Sequence, residues 1–292
     1  MANLGDNCLL ARKKRYNGRM HSETEHRPVV LAIGGHDPGG GAGIQADIEA
    51  IGANGCHPAT ALTCLTVQDS CNVSQLMPLD AEHLTAQCEA VLEDCTVSAI
   101  KIGLLGSYQA ADGVIRLLKA CPRIPVILDP VLAAGGGSEL ASEQLLEKIR
   151  DQLLPLCTLI TPNTQEAVRL SAGGSSISLD QHAQILLQLG CGSVLITGTH
   201  DESDRKWVIN RLYQADKQTL IRQYPRLPGE YHGSGCTLAA ALAARIGRGE
   251  SLENATQTAL DYSWSCLQQG YRTGRCQSIP NRWFESHSNN NR

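Results

Sequence analysis

Gly233, Ser234, Gly235 and Cys236 stand immediately before the alanine-rich run of "YHGSGCTLAAALAARIG" (231–247), whose apolar content marks a buried helix. Glycines on both sides of Ser234 free the backbone to curl its N–H groups around an oxyanion. At a helix start those amides lack intrahelical partners and carry partial positive charge. The turn is therefore suited to receive a phosphate in transfer. Cys236 falls in the first helical turn, where a thiol is expected to have a depressed pKa. An ordinary N-cap by Ser234, with Cys236 packed as a small residue, fits the same spacing.

Two carboxylates accompany this turn: Asp129 in "ILDPV" and Glu166 in "TPNTQEA", each at or just after a strand end. Together they could orient the waters of one Mg²⁺, which takes few carboxylate ligands and shares its remaining positions with phosphate oxygens and water. Alternatively, Asp129 caps a turn before Pro130 and Glu166 sits in a helix's first turn. Gln68, after a buried strand, offers a carbonyl acceptor beside an amide donor, an edge that matches a heterocycle carrying a ring nitrogen next to an exocyclic amine. A turn-stabilising glutamine is the competing reading. "GGHDPGGGAG" (34–43) is neither a Walker loop nor GxGxxG, because it lacks Gly-Lys-Ser/Thr and has Ile44 where the last glycine belongs. Its glycines still let backbone approach a ligand closely, or else mark a permissive turn.

The elements that must position these residues follow from periodicity. Apolar runs at 29–34, 57–65, 97–103, 125–129, 157–161 and 193–197 read as strands alternating with helical segments, the pattern of a mostly parallel sheet with helices on both faces. Segments 206–214 and 219–223 read as a later antiparallel edge. Ile44, Ile48 and Ile51 share one helical face, and Leu145, Leu146, Ile149 and Leu153 share another behind a Ser142 cap. Asp80 is expected to cap a helix through Asp94, and Asp180 one through Gly190; a last helix follows Ser251. Ligands of an open α/β sheet bind beyond the carboxyl ends of its strands, which is where the polar and glycine-rich segments fall.

The 292 residues suffice for one large α/β domain, expected over 29–284, with 1–28 as a disordered leader and 285–292 as a polar tail; Met20 is an alternative start. A net charge of −4, with the cations spread along the chain, argues against nucleic acid as a partner. No run of about eighteen apolar residues exists, so no membrane span is expected and the chain reads as soluble and cytoplasmic. The 12 cysteines include no CxxC pair, which argues against zinc. Nearly all of them read as free, small hydrophobes of a reducing compartment.

Taken together, "GGHDPGGGAGIQADIEAIGANGCHPATALTCLTVQDS", "IKIGLLGS", "LDPVL", "TPNTQEA", "HGSGCTLAAALAARIGRGESLENA" and "IPNRWF" resemble the hydroxymethylpyrimidine and phosphomethylpyrimidine kinases of thiamine biosynthesis, in the ribokinase-like superfamily. The resemblance spans about residues 29–284. It implies a doubly wound α/β fold that transfers the ATP γ-phosphate to a pyrimidine alcohol and then to its monophosphate, with ATP and Mg²⁺ as cofactors and a homodimer as the assembly. By the same likeness, Gly35, Asp47, Gln68 and Leu104 bind pyrimidine, Leu104 standing where methionine is usual. Asp129 and Glu166 belong to the Mg²⁺ and phosphate region, and Asn163, Glu166 and Thr197 to the nucleotide. Gly233, Ser234, Gly235 and Cys236 match the anion hole, whose cysteine replaces the aspartate base of related sugar kinases. One departure is "TGTH", in which Thr197 stands where the family has lysine in "KGGH". His36, where serine is common, could supply a donor or stay solvated. The alternatives are a pyridoxal-type kinase, or a pyrimidine-binding regulatory protein that has lost transfer.

Overall fold

The structure, a computed structural model, describes residues 26–199 and 205–284. Most of the expected leader, the polar tail and the "HDE" that follows Thr199 lie outside the described residues. Val29–His36 (β1) is an almost continuous apolar run with a fully buried interior, as a central parallel strand covered on both faces requires. Around it lies one nine-stranded sheet. The other strands are His57–Gln68 (β2), Val73–Pro78 (β3), Val97–Ile102 (β4), Val126–Leu128 (β5), Leu159–Ile160 (β6), Ser193–Ile196 (β7), Trp207–Gln214 (β8) and Leu220–Pro225 (β9). Their order is β3-β2-β1-β4-β5-β6-β7-β8-β9, parallel from β2 to β7. The antiparallel edge expected at β8 and β9 is present, and β3 adds a second at the opposite side. β3 escaped the sequence reading because "VSQLMP" is short and mostly exposed, and Ser74 and Gln75 break any apolar alternation along it.

Gly43–Ala53 (α1), Ser234–Gly247 (α7) and Leu252–Gln268 (α8) cover one face of the sheet. Ala81–Asp94 (α2), Tyr108–Ala120 (α3), Glu143–Lys148 (α4), Thr164–Ser171 (α5) and Leu179–Gln188 (α6) cover the other. The arrangement is the expected doubly wound α/β fold, a mostly parallel sheet with helices on both faces. α7 is buried from Thr237 to Ala244 because it is wedged between the sheet, α1 and α8, and small alanines permit that close approach. Ser142 and Ser251 cap their helices as expected.

Four local expectations change. Asp80 stands at the N-cap position of α2, but its side chain makes no capping hydrogen bond. The cap of α6 is Ser178, in a reciprocal box with Gln181, and Asp180 lies inside the helix, where its carboxylate accepts from the Tyr213 hydroxyl. Ile48 is 40% exposed although Ile44 and Ile51 are buried, so the core-facing stripe of α1 is narrower than its spacing suggested. The cysteines are also not uniformly free thiols. Cys56, Cys64, Cys88, Cys121, Cys157, Cys191 and Cys266 are buried, but Cys71 and Cys276, 205 residues apart, form a disulfide. Their pairing is invisible in sequence because neither belongs to a spaced motif. Among the described residues no helix is long and apolar enough to cross a membrane.

Candidate active site

A cleft of about 620 Å³ runs along the carboxyl ends of the parallel strands. β2 and β4 flank β1 on opposite sides, so the strand order reverses there, at the kind of switch point where open sheets bind ligands. Gly34, Gly35 and His36 enter the cleft from β1, and Lys101, Gly103 and Leu104 from β4 and its end. Gly35 must lack a side chain, since a Cβ there would lie 2.9 Å from the Cys64 Sγ and 3.2 Å from Leu104. Gln68 is the last residue of β2, not a residue beyond it. A register shift between Val67 and Gln68 re-aims the strand where Gln68 lines the cleft. All twelve residues selected from the sequence line this one cleft: Gly35, Asp47, Gln68, Leu104, Asp129, Asn163, Glu166, Thr197, Gly233, Ser234, Gly235 and Cys236.

Sequence reading overlooked Lys101. Its Nζ lies 2.8 Å and 3.0 Å from the two carboxylate oxygens of Asp47, and both side chains are buried. Burial works against the ammonium's charge, but Asp47, Cys236 and Asp129 outweigh it and hold Lys101 above the ordinary lysine value. A lysine within the apolar strand "VSAIKI" was the available signal, because an unpaired cation does not remain in a sheet interior.

"GGHDPGGGAG" is organised by Asp37, which is 2% exposed and accepts from the Gly39 and Ala42 N–H groups and contacts His232 Nε2 at 2.9 Å. Burial opposes its charge, but the His232 contact and the two amides prevail and hold the carboxyl below the usual range. The loop is thus both an ordered turn and a cleft wall.

At the start of α7, Gly233 is the N-cap, with φ +82° and no side-chain capping bond, so Ser234 does not fill the N-cap role. The amides of residues 234–236 lack intrahelical acceptors and remain for a ligand. Gly235 sits with its would-be Cβ 3.5 Å from an Asp129 oxygen, which places the turn against that carboxylate. The depressed pKa expected of Cys236 is overturned. Burial pushes the thiol up to about 12; Lys101 pulls it down, but Asp129 and Asp47 add to the rise. Sequence placed the thiol correctly at a helix N-terminus, yet its desolvation and two acidic neighbours come from distant segments. At neutral pH Cys236 is a thiol, close to Asp129 and to the Gly43 backbone.

Asp129 is buried, and its Oδ2 has no hydrogen-bond partner. Burial raises its pKa against the pull of Lys101. Glu166 takes part in a capping box: Asn163 Oδ1 accepts from the Glu166 N–H at 2.9 Å, and Glu166 Oε2 accepts from the Asn163 N–H at 2.8 Å. Its surroundings desolvate the carboxyl and Asp129 repels its charge, so its pKa rises to about 8. Among the described residues no three His, Cys, Asp or Glu side chains converge to enclose a metal. Sparse, all-oxygen ligation with one orphaned carboxylate oxygen fits Mg²⁺.

The far end of the cleft is apolar, lined by Val208, Tyr224, Leu238, Leu260, Trp264 and Leu267. Ser263 joins them with a buried hydroxyl that has no partner. Leu260, Ser263 and Leu267 form a stripe on α8 beside the sheet-facing one, which is why periodicity alone assigned them no role. Thr197 also lines the cleft and is joined to Asn163 by a β-bridge.

The profile of the phosphomethylpyrimidine kinase family matches residues 37–281. A hydroxymethylpyrimidine/phosphomethylpyrimidine kinase of Haemophilus influenzae is 35% identical over 88% of this chain and 97% of its own length. One of Streptomyces coelicolor is 35% identical over 85% and 91%. Among solved structures, the ADP complex of Bacillus subtilis pyridoxal kinase superposes with a TM-score of 0.81 at 27% identity, covering 88% of this chain and 98% of that one. The phosphomethylpyrimidine kinase of Clostridium difficile gives 0.72 at 27% identity, covering 82% and 100%.

Proposed function

The chain belongs to the phosphomethylpyrimidine kinase family, and from that premise we propose that it transfers the γ-phosphoryl group of ATP to 4-amino-5-hydroxymethyl-2-methylpyrimidine and then to its monophosphate, giving the diphosphate used in thiamine biosynthesis. The observation that carries this reading is the uncapped start of α7, which meets Asp129 in the same cleft as Gln68 and Gly35. The pyrimidine lies against Gly35 and Leu104, where the missing side chain leaves room for a flat ring. The Gln68 amide reads its ring nitrogen and amine, and Asp47 is held in place by Lys101. ATP lays its base in the apolar end beside Ser263 and runs its phosphates past Thr197 and Asn163 toward α7.

Charge developing on the transferred phosphoryl oxygens is met by the N–H groups of Ser234, Gly235 and Cys236, already oriented and requiring no reorganisation. Asp129 and Glu166 would hold Mg²⁺, which would supply neutralisation of charge on the phosphate oxygens. A thiol with a pKa near 12 is a poor base at neutral pH, so stabilisation of the anion outweighs proton removal by Cys236. Thr197 lacks the charge of a lysine, leaving the helix start and the cation to supply more of the clamp.

Purified protein with ATP and Mg²⁺ should convert both the pyrimidine alcohol and its monophosphate, with mono- and diphosphate resolved chromatographically, and should favour the pyrimidine over pyridoxal. If the alcohol and the monophosphate are both left unconsumed, the reading fails. In an active enzyme Asp129→Asn should lower kcat by about a hundredfold or more. Cys236→Ala should keep the wild-type pH profile up to about pH 10, because the thiol it removes stays protonated throughout.

A further inference from the structure

Arg282, in "IPNRWF", does not line the cleft, yet its side chain is 0% exposed and spends every arm of its guanidinium on a different segment. Nε donates to the Thr237 hydroxyl at 2.8 Å, Nη1 to Glu49 on α1 at 3.0 Å, and Nη2 to the Gly41 carbonyl in the β1–α1 loop. The Thr237 hydroxyl in turn donates to the Gly233 carbonyl at 2.8 Å, and the Thr237 N–H reaches the same oxygen at 3.0 Å. At Gly233 a Cβ would lie 2.0 Å from the Gly41 oxygen and 2.9 Å from Nη2, so the two glycine turns pack backbone to backbone with the guanidinium at their seam. The residue itself is anchored, because its carbonyl accepts from the Tyr262 hydroxyl at 2.9 Å. Burying a guanidinium against one half-exposed carboxylate is costly. The rigid fork of donors, which a lysine cannot reproduce, accounts for an arginine at this place.

We propose that Arg282 is a positioning residue for phosphoryl transfer: through Thr237 and Gly41 it fixes the plane of the Gly233 peptide, and so the aim of the following three N–H groups at the migrating phosphoryl group. The inference rests on the kinase reading above and adds a residue outside the cleft to it. A donor array must be held to within a fraction of an ångström to favour the transition state over the ground state, so loosening the seam should weaken kcat more than substrate binding.

The test uses the full chain. Wild-type turnover is measured first, and inactivity toward both the alcohol and the monophosphate sinks the kinase reading and the inference with it. In an active enzyme, Arg282→Lys is expected to lower kcat about tenfold or more while KM for the pyrimidine changes less than about threefold and a cooperative thermal transition persists. Thr237→Val should lose kcat in the same manner, and Thr237→Ser, which keeps the hydroxyl, should recover it. The Arg282→Lys/Thr237→Val double variant should fall by clearly less than the product of the single losses, since both cut one connection. Unchanged kcat in folded Arg282→Lys, or independent effects in the double variant, overturns the proposal and leaves the kinase reading intact. Should Arg282 variants fail to fold, the Thr237 pair decides: equal kcat in Thr237→Val and Thr237→Ser overturns it.

Discussion

Two helices begin at the same cleft and treat their first turns in opposite ways. α5 closes its N-terminus on itself: Asn163 and Glu166 satisfy each other's backbone amides, and the terminus keeps little for a ligand beyond a carboxyl edge. α7 opens with a glycine that has no side chain to offer, and its amides face the cleft. One helix start stores an acid beside Asp129, while the other presents donors. On the proposed reading, a phosphoryl group in transfer uses both, a cation holder and an anion holder, each supplied by a different helix. Identical peptide dipoles therefore acquire different chemistry from one local choice, a capping side chain or its absence.

The contrast can be broken most severely at Gly233. A Gly233→Ala substitution places a methyl group 2.0 Å from the Gly41 carbonyl at a backbone φ of +82°, so the turn must move. We expect kcat/KM to fall by about a hundred- to a thousandfold, measured by product formation, with circular dichroism reporting whether the sheet and helices persist. Retained activity would mean that these amides do not face the phosphate.

A smaller effect distinguishes the acid at the other terminus. Glu166 has a folded pKa of about 8 against an ordinary value of 4.5, so the folded state holds its proton where the unfolded chain releases it. Its contribution to stability is fully present below pH 4.5 and is lost as pH rises to about 8. Chemical denaturation of the metal-free protein across that window should show the decline, and Glu166→Gln should flatten it while keeping a carbonyl acceptor for the Asn163 N–H.

The finest comparison is between caps. Asn163→Ala should cost about 1 kcal/mol of unfolding free energy, whereas Ser234→Ala should cost at most a few tenths, because only the first side chain closes a helix end. Equal losses in thermal or urea unfolding would contradict the assignment of Gly233 as an uncapped terminus.

Much of this site was legible in the chain. The glycine pair before an alanine run and the aspartate closing an apolar strand each state a local preference within a few residues, and the structure realises both. Gln68 was placed at the right end of the sheet, but its bulge depends on pairing with β3, a short exposed strand without the alternation that would announce it. Lys101 and Arg282 look like misplaced cations until their partners are known, because Asp47 lies 54 residues from the first and Gly41 lies 241 residues from the second.

Sequence alone determined the alternation of strands and helices, the ends at which ligands gather and the residue types offered there. These follow from side-chain period, glycine's conformational freedom and helix-end polarity, all of which act over one or two turns of chain. Tertiary structure decided which thiols pair, why Cys236 keeps its proton and which buried cations hold the site in shape. Those outcomes depend on exclusion of water and on charges brought together from distant segments, and neither exists until the sheet has closed around them.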